Sequence, residues 1–390
     1  MGVMHAVPVD TTKARLLLIS PDTALAHQAR AVTEAHGARL DVLPDVEAAL
    51  AWLLNAENMC THLLAPASLS PQDVTALAAM VDELTNLPTP LLLLGAVAGQ
   101  GPHVLPVEAG IESAIDHILR DFQPFVPKAL PDLTAETLRA ALEAGQLRMR
   151  FQPVLHAETL APAGLEMLAR LHHPELGILR PKDFLPQAIA SGQERVLTSL
   201  AAACALLELQ PILASLMREL DGSLALNVPI SAFCNTGAVE RASALCAAAG
   251  LPRERLVIEL LETPDLPDLR AVGAALERWR AAGFYVTLDD AGPPLPHWRK
   301  MLELPFTGIK LDASLAADAQ AAKAEAAAIA EEAHRRGIYI VAEGIQDAGA
   351  LARARALGVQ AVQGFLFSRP LPAAAVPIWL RLWRARTPLQ

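Results

Sequence analysis

At 390 residues the chain is longer than one ordinary domain, so two domains are the simplest prediction. Apolar residues make up 53% of the sequence, and because many of them are alanine they indicate dense helical cores rather than membrane spans. The net charge of −10 argues against a nucleic-acid polymer as partner, although a small phosphate ligand held through metal ions remains compatible with it.

The most apolar of the long stretches and the cysteines both favour a cytoplasmic protein. Leu197–Met217 contains Glu208, Gln210 and Pro211, which a lipid-buried span would not tolerate, so we expect a buried core helix. The N-terminus lacks a basic segment followed by a long apolar run, so no secretory signal is expected. The cysteines show no CxxC pair and no zinc spacing, which predicts reduced thiols; they are Cys60, Cys204, Cys234 and Cys246.

The first region, residues 13–122, alternates short apolar runs with amphipathic helical patterns. The predicted strands are Arg15–Ser20, Arg39–Leu43, Thr61–Leu64 and Pro90–Leu94, and the predicted helices are Thr23–His36, Val46–Asn55 and Pro71–Leu84. This alternation predicts an α/β domain with a flavodoxin-like, doubly wound parallel sheet.

This layout resembles the receiver domain of response regulators, but the residues of a phosphorylation site are missing. A receiver carries an acidic pair after its first strand and a phosphoacceptor aspartate at the end of its third. Here those places read Ser20-Pro21-Asp22 and Leu64-Ala65-Pro66, and the segment His103-Val104-Leu105-Pro106 lacks the expected lysine. Without clustered carboxylates there is no Mg²⁺ site. The resemblance therefore implies a pseudo-receiver that serves dimerisation or the binding of a protein partner.

Residues 123–133 read as a linker, since three prolines interrupt any periodic pattern. The second region, residues 134–390, begins with a helix capped by Thr134. Eight strand-like runs then alternate with helices, which is the size and strand count of a TIM-like (β/α)₈ barrel. The runs are Met149–Leu155, Ala163–Leu168, Leu224–Val228, Leu256–Leu261, Tyr285–Asp289, Thr307–Leu311, Ile338–Ala342 and Ala361–Phe367.

Polar residues recur in these strands, at or near their carboxyl ends. In such a barrel the carboxyl ends converge on one mouth, where catalytic sites are found. Converging carboxylates repel each other unless a cation lies among them, and carboxylate and amide oxygens are ligands that Mg²⁺ and Mn²⁺ prefer. Each residue alone is compatible with a helix cap or a surface ion pair, but the repetition on successive strands predicts a divalent-metal site. The set comprises Glu166, Asn227, Glu259, Asp289, Asp290, Lys310, Glu343 and Gln363.

Eight segments of this region resemble, in order, the successive motifs of the EAL domain family, whose active members hydrolyse cyclic di-GMP. They are FQPVL (Phe151–Leu155), GLEMLAR (Gly164–Arg170), LNVPISAF (Leu226–Phe233), VIELLE (Val257–Glu262), VTLDD (Val286–Asp290), IKLD (Ile309–Asp312), VAEG (Val341–Gly344) and QGFLFSRPLP (Gln363–Pro372). The resemblance covers the whole second region. It implies an EAL barrel that binds cyclic di-GMP and, if active, releases the linear dinucleotide pGpG.

The resemblance also implies roles for individual residues around two Mg²⁺ or Mn²⁺ ions. The implied metal ligands are Glu166, Asn227, Glu259, Asp289, Asp290 and Glu343. The implied ligand-binding residues are Gln152, Leu168, Arg170 and Asp312. Lys310 would orient or activate the attacking water, Gln363 would help to hold that network, and Glu262 would anchor the loop after the fifth strand.

Three places depart from the family pattern. Met167 replaces the middle alanine of the EAL motif and is expected to face the barrel wall or the pocket edge. Gln346 stands where active members usually carry a second glutamate. The loop Ala291–Trp298 holds three prolines where the family has a glycine- and serine-rich segment that couples metal binding to dimerisation, so a pliable loop becomes a stiff one. Its His297 and Trp298 are expected to be exposed or to contact a partner.

These departures leave several functions open. A cyclic di-GMP phosphodiesterase is favoured by the complete set of carboxylates and Lys310. A receptor that binds cyclic di-GMP without turnover is favoured by the altered loop. A scaffold that binds no nucleotide, or an enolase-like barrel with carboxylates around Mg²⁺, fits the sequence less well. A homodimer, and a protein partner bound through the receiver-like region, are both compatible with the sequence.

Overall fold

The computed structural model describes residues 14–54, 60–66, 68–70, 73–74, 76–77, 80, 91–94, 104–107, 110–120, 133–173, 176–220, 222–261, 268–291, 297–311 and 320–386. Contacts within the chain define two compact units. The first comprises Met1–Pro131 with Leu371–Leu382, and the second comprises Asp132–Pro370 with Trp383–Gln390. The predicted linker over residues 123–133 lies almost entirely outside the described residues, so its bounds stay a prediction.

The first unit contains, in its described part, a parallel sheet of five strands. The strands are β1 (Arg15–Ile19), β2 (Arg39–Leu43), β3 (His62–Pro66), β4 (Leu91–Leu94) and β5 (Val104–Val107). Their order in the sheet is β2-β1-β3-β4-β5, and every pairing is parallel. This is the flavodoxin-like order, so the predicted doubly wound fold is confirmed.

Helices α1 (Thr23–Ala35), α2 (Val46–Leu53) and α3 (Ile111–Arg120) accompany this sheet. The first two begin where the sequence predicts, because the side chains of Asp22 and Asp45 accept hydrogen bonds from first-turn amides. The sequence-based prediction lacks α3, which packs its apolar residues into the core formed by β1 and α1. Most of the helix predicted over Pro71–Leu84 lies outside the described residues.

The second unit is a closed barrel of eight strands with one short strand added. The strands are β6 (Leu147–His156), β7 (Pro162–His173), β8 (Gly177–Leu179), β9 (Leu224–Pro229), β10 (Leu256–Leu261), β11 (Tyr285–Ala291), β12 (Gly308–Leu311), β13 (Tyr339–Ala342) and β14 (Ala361–Gln363). The ring order is β6-β14-β13-β12-β11-β10-β9-β7, and pairing of β6 with β7 closes it. The predicted TIM-like barrel is confirmed, with one difference. Strand β6 runs antiparallel to both of its neighbours, because a short turn joins it to β7 as a hairpin.

The helices from residue 135 onward are α4 (Ala135–Glu143), α5 (Pro181–Ala190), α6 (Glu194–Leu209), α7 (Leu213–Glu219), α8 (Ile230–Phe233), α9 (Ala238–Ala249), α10 (Leu269–Ala281), α11 (Trp298–Met301), α12 (Gln320–Arg335), α13 (Ala348–Ala356) and α14 (Val376–Arg386). The core helix predicted over Leu197–Met217 is two helices, α6 and α7, which meet at an angle of 86° near Pro211. Among the described helices, none has by itself the length and apolarity to cross a membrane, and α6 with α7 reaches them only as this bent pair.

Candidate functional site

Every strand of the barrel supplies one polar side chain to the same region of the ring, either from within the strand or from the next residue. The register of the paired strands places these side chains at similar heights in the barrel, since Gln152 lies opposite Glu166 and Asn227 lies opposite Glu259. The prediction that Glu166 lies at or near the carboxyl end of its strand is wrong, because β7 continues to His173 through its pairing with β6 and β8. The eight side chains belong to Gln152, Glu166, Asn227, Glu259, Asp289, Lys310, Glu343 and Gln363.

The centre of this group is the ammonium of Lys310, whose side chain is almost fully buried. Its Nζ lies 3.0 Å from Glu259 Oε2, 3.0 Å from Asp289 Oδ1 and 3.3 Å from Glu166 Oε1. Glu343 is the fourth carboxylate that contacts the same nitrogen. The acidic side chains therefore converge, as the sequence predicts, and they converge on a lysine.

Amide side chains hold Glu166 from the other side. Asn227 Nδ2 donates to Glu166 Oε1 at 2.7 Å, and Gln363 Nε2 donates to Glu166 Oε2 at 2.6 Å. Gln363 Nε2 also donates to Gln152 Oε1 at 3.0 Å, while Gln152 Nε2 donates to the carbonyl of Ser368 at 3.1 Å. Because both oxygens of Glu166 accept hydrogen bonds, the carboxylate has a fixed orientation.

Burial and neighbouring charges perturb the titration of these groups. Burial opposes ionisation of Glu166, but the charge of Lys310 and the amide hydrogen bonds outweigh it and lower its pKa. Burial, with the neighbouring carboxylates, raises the pKa of Glu259 well above its ordinary value, although Lys310 acts against this. Burial disfavours charge on Lys310 as well, yet Asp289 and the other carboxylates raise its pKa well above the usual value. One ammonium among four carboxylates leaves an excess of negative charge that a further cation would neutralise.

The donor chemistry of the site fits a hard divalent ion. Carboxylate oxygens converge beside the amide oxygen of Asn227, and this buried Oδ1 has no hydrogen-bond partner among the described residues. The described side chains do not form a ready-made cluster of three or more acidic, histidine or cysteine ligands, because the carboxylates are turned onto Lys310. Of Asp290 only the backbone is described, within β11.

Two of the residues implied to bind the nucleotide, Leu168 and Arg170, lie along the same strand as Glu166. Side chains alternate along a strand, so Leu168 and Arg170 share the face of Glu166. Leu168 is half-buried, and Arg170 is buried and donates from Nη1 to the carbonyl of Ala169 at 2.8 Å. Gln152, also implied as a ligand contact, uses both amide atoms in protein hydrogen bonds. Asp312 and Glu262 lie outside the described residues.

The residues that depart from the family pattern lie in different surroundings in the structure. Met167 is buried and faces the helical layer behind the barrel wall, beside α6 and α9. The expectation that Trp298 is exposed or contacts a partner is wrong, because its side chain is buried at the start of α11. The guanidinium of Arg299 lies over its ring, 4.2 Å from the ring centroid. The prolines of the altered loop lie outside the described residues.

Sequence reasoning missed Ser368, whose backbone carbonyl orients Gln152. A backbone acceptor leaves no signal in the identity of its residue. Met167 was expected at the barrel wall or at the pocket edge, and the structure places it at the barrel wall, on the opposite face of β7 from Glu166.

Comparison with known families matches residues 135–370 to the EAL domain. A curated relative, the cyclic di-GMP phosphodiesterase PA2567 of Pseudomonas aeruginosa, is 30% identical over 257 residues, which is 65% of this chain and 43% of that protein. The cyclic di-GMP phosphodiesterase PdeL of Escherichia coli is 28% identical over 243 residues, or 62% of this chain and 67% of that protein. The chain spans less than half the length of the first curated relatives that it matches.

Among solved structures, the PaMucR phosphodiesterase in complex with c-di-GMP has a TM-score of 0.56 and 27% identity, covering 61% of this chain and 97% of that one. The EAL domain of Xanthomonas citri FimX in complex with c-di-GMP has a TM-score of 0.53 and 22% identity, covering 61% and 92%. The second likeness concerns the fold alone.

Proposed function

This chain belongs to the EAL domain family, and we propose that it hydrolyses cyclic di-GMP to pGpG with the help of two divalent cations. One observation carries the proposal. Carboxylates from four strands or strand ends meet within contact distance of the Lys310 ammonium, and two amide side chains fix the orientation of Glu166. A purely structural barrel has no need of so many buried charges, because they cost free energy unless a cation offsets them.

The proposal assigns the metal ligands to Glu166, Asn227, Glu259, Asp289, Asp290 and Glu343. Mg²⁺ or Mn²⁺, when bound there, supplies Lewis acidity toward water and phosphate oxygens. Lys310 keeps its proton at neutral pH in the described arrangement, so it would donate a hydrogen bond that orients the attacking water. Gln363 and Asn227 hold Glu166 in place. Arg170 would pair with a phosphate of the dinucleotide, and Leu168 would pack on a base.

The test is product formation. The purified chain is incubated with cyclic di-GMP and Mg²⁺ or Mn²⁺, and pGpG is measured by chromatography. Glu166→Gln keeps the shape of the side chain but removes its charge, so it should abolish the product. Glu240→Gln, on the exposed face of α9, is the matched control and should leave the rate unchanged. Wild-type turnover by Glu166→Gln would refute the assignment.

A second function, binding of cyclic di-GMP without turnover, is favoured by the three prolines in the loop Ala291–Trp298. A stiff loop would hold the second ion poorly and leave a receptor. Calorimetry that records tight binding in saturating Mn²⁺, with no pGpG formed by the same sample, would select this alternative. The proposed homodimer and the protein partner of residues 13–122 accompany either function.

A further inference from the structure

Two glutamine side chains and one backbone carbonyl form a chain of hydrogen bonds that ends on Glu166. Gln152 Nε2 donates to the Ser368 carbonyl at 3.1 Å, and Gln363 Nε2 donates to Gln152 Oε1 at 3.0 Å. Gln363 Nε2 also donates to Glu166 Oε2 at 2.6 Å. All four residues are buried, so a hydrogen bond lost from this chain is not readily replaced by one to bulk water.

The direction of every bond in this chain follows from the carbonyl at its start. A carbonyl oxygen only accepts, so the Gln152 atom that faces Ser368 is the amide nitrogen. Gln152 Oε1 then faces Gln363, and this oxygen requires a donor, which is Gln363 Nε2. Both hydrogens of that nitrogen are used, one on Gln152 and one on Glu166. Ser368 and Gln152 thereby fix which end of the Gln363 amide faces Glu166.

The other end of the Gln363 amide is an acceptor without a donor. Its Oε1 is buried and has no hydrogen-bond partner among the described residues. Asn227 has the same arrangement at the second oxygen of Glu166, since its Nδ2 donates to Glu166 Oε1 and its Oδ1 also lacks a described donor. Two such amide oxygens beside one carboxylate are suitable acceptors for a divalent cation or for water bound to it. A flipped Gln363 amide would turn its oxygen onto the Glu166 carboxylate and remove one of these acceptors.

The side chain of Gln152 is directed toward the protein. Its oxygen and its nitrogen each have a protein partner, and only 7% of the residue is exposed. We propose that Gln152 is a positioning residue of the metal site, which holds the Gln363 amide and through it the Glu166 carboxylate, and that it makes no contact with the nucleotide. This inference rests on the proposed function, in which Glu166 is a metal ligand. Loss of a group that orients a metal ligand weakens metal binding or activity by about 10- to 100-fold.

Calorimetric titration of the whole chain with Mn²⁺ alone tests this role without any turnover. Gln152→Met keeps the length of the side chain and removes both hydrogen-bonding atoms, so the dissociation constant of Mn²⁺ should rise about tenfold or more. Gln28→Met, the same substitution at an exposed position of α1, is the matched control and should leave the constant unchanged. A lower melting temperature of Gln152→Met with wild-type Mn²⁺ affinity would show a structural role only and overturn the proposal.

A double-mutant cycle tests whether Gln152 acts through Gln363. Gln363→Leu should weaken Mn²⁺ binding as well, and adding Gln152→Met to it should weaken binding little further, because Gln152 then has no amide to hold. Additive losses would overturn the proposal. Gln152→Asn keeps an amide but is one methylene shorter, so it should lose one of the two hydrogen bonds. It takes the place of the methionine variant in the cycle if that variant does not fold.

Kinetics at saturating Mn²⁺ separate positioning from nucleotide contact. Gln152→Met should lower kcat and leave the KM for cyclic di-GMP unchanged, whereas Arg170→Met, which removes the proposed phosphate contact, should raise KM and leave Mn²⁺ affinity unchanged. A raised KM of Gln152→Met with wild-type Mn²⁺ affinity would overturn the proposal and identify a nucleotide contact. Mn²⁺ binding by the wild type without pGpG formation would refute hydrolysis alone, and the titrations would still decide the role of Gln152. Absence of Mn²⁺ binding by the wild type would refute both.

Discussion

Replacing Lys310 by methionine removes the cation that four carboxylates share, while keeping most of the side-chain volume. The side chain is 1% exposed, and its Nζ lies within 3.3 Å of oxygens of Glu166, Glu259 and Asp289. Removing one partner of a buried ion pair costs about 3–5 kcal/mol, because the remaining charge stays desolvated without compensation. We therefore expect Lys310→Met to lower the free energy of unfolding by about 3–5 kcal/mol in a metal chelator.

Urea unfolding followed by tryptophan fluorescence measures this loss. Lys300→Met, at an exposed position of α11, is the matched control and should change the free energy of unfolding by no more than about 0.5 kcal/mol. Mn²⁺ at a hundred times its dissociation constant would restore roughly 2.7 kcal/mol, because an ion that binds only the folded state stabilises it. A Lys310→Met protein as stable as the wild type in chelator would refute the reasoning.

Three further predictions concern single positions. Gln363→Leu leaves a buried oxygen of Glu166 without its donor at 2.6 Å, so we expect lower pGpG production and a loss of about 1–3 kcal/mol in unfolding free energy; wild-type values in both assays would contradict this. Gly164→Ala places a Cβ 2.5 Å from the Ser223 carbonyl, which should separate β7 from β9 and cost about 1–3 kcal/mol in a thermal melt, and an unchanged melt would argue against it. Burial lowers the pKa of His62 to about 4, so protonation of this imidazole favours the unfolded state. Its contribution to the free energy of unfolding is fully present above about pH 6.5 and declines by roughly 3 kcal/mol toward pH 4. Urea unfolding at several pH values should show this decline in the wild type and not in His62→Phe.

Most of the strands were predictable from sequence because they are apolar runs bounded by turn residues, whereas the short strands β5 and β8 were not predicted. Leu256–Leu261 and Arg39–Leu43 have the predicted bounds. The convergence of Glu259 and Asp289 was predictable as well, because both lie near the carboxyl ends of barrel strands, which meet at one mouth. That they meet on Lys310 required coordinates, since the sequence gives no distance between side chains on different strands.

Other features depend on contacts between distant segments. The antiparallel direction of β6 follows from a hairpin that the apolar pattern does not distinguish from a crossover. Trp298 is buried although its loop is rich in proline, because α11 begins at this residue and turns the ring inward. A small cavity behind the barrel wall is lined by Ala202 of α6 and by Ala238 and Ala242 of α9, and no local pattern shows which alanines of an alanine-rich chain will lie together.

Among the described strands of the barrel, β14, which completes the ring, is the last in chain order. Val154 of β6 pairs with Gln363 of β14, so the first strand of the barrel pairs with a segment about 200 residues later in the chain. Until that segment leaves the ribosome, β6 and β13 each present a row of unpaired amides and carbonyls that can recruit foreign strands. The hairpin of β6 with β7 is local and can form early, whereas closure is a late event with a large loop-entropy cost. A chain that ends before Ala361 therefore keeps both of these strand edges unpaired.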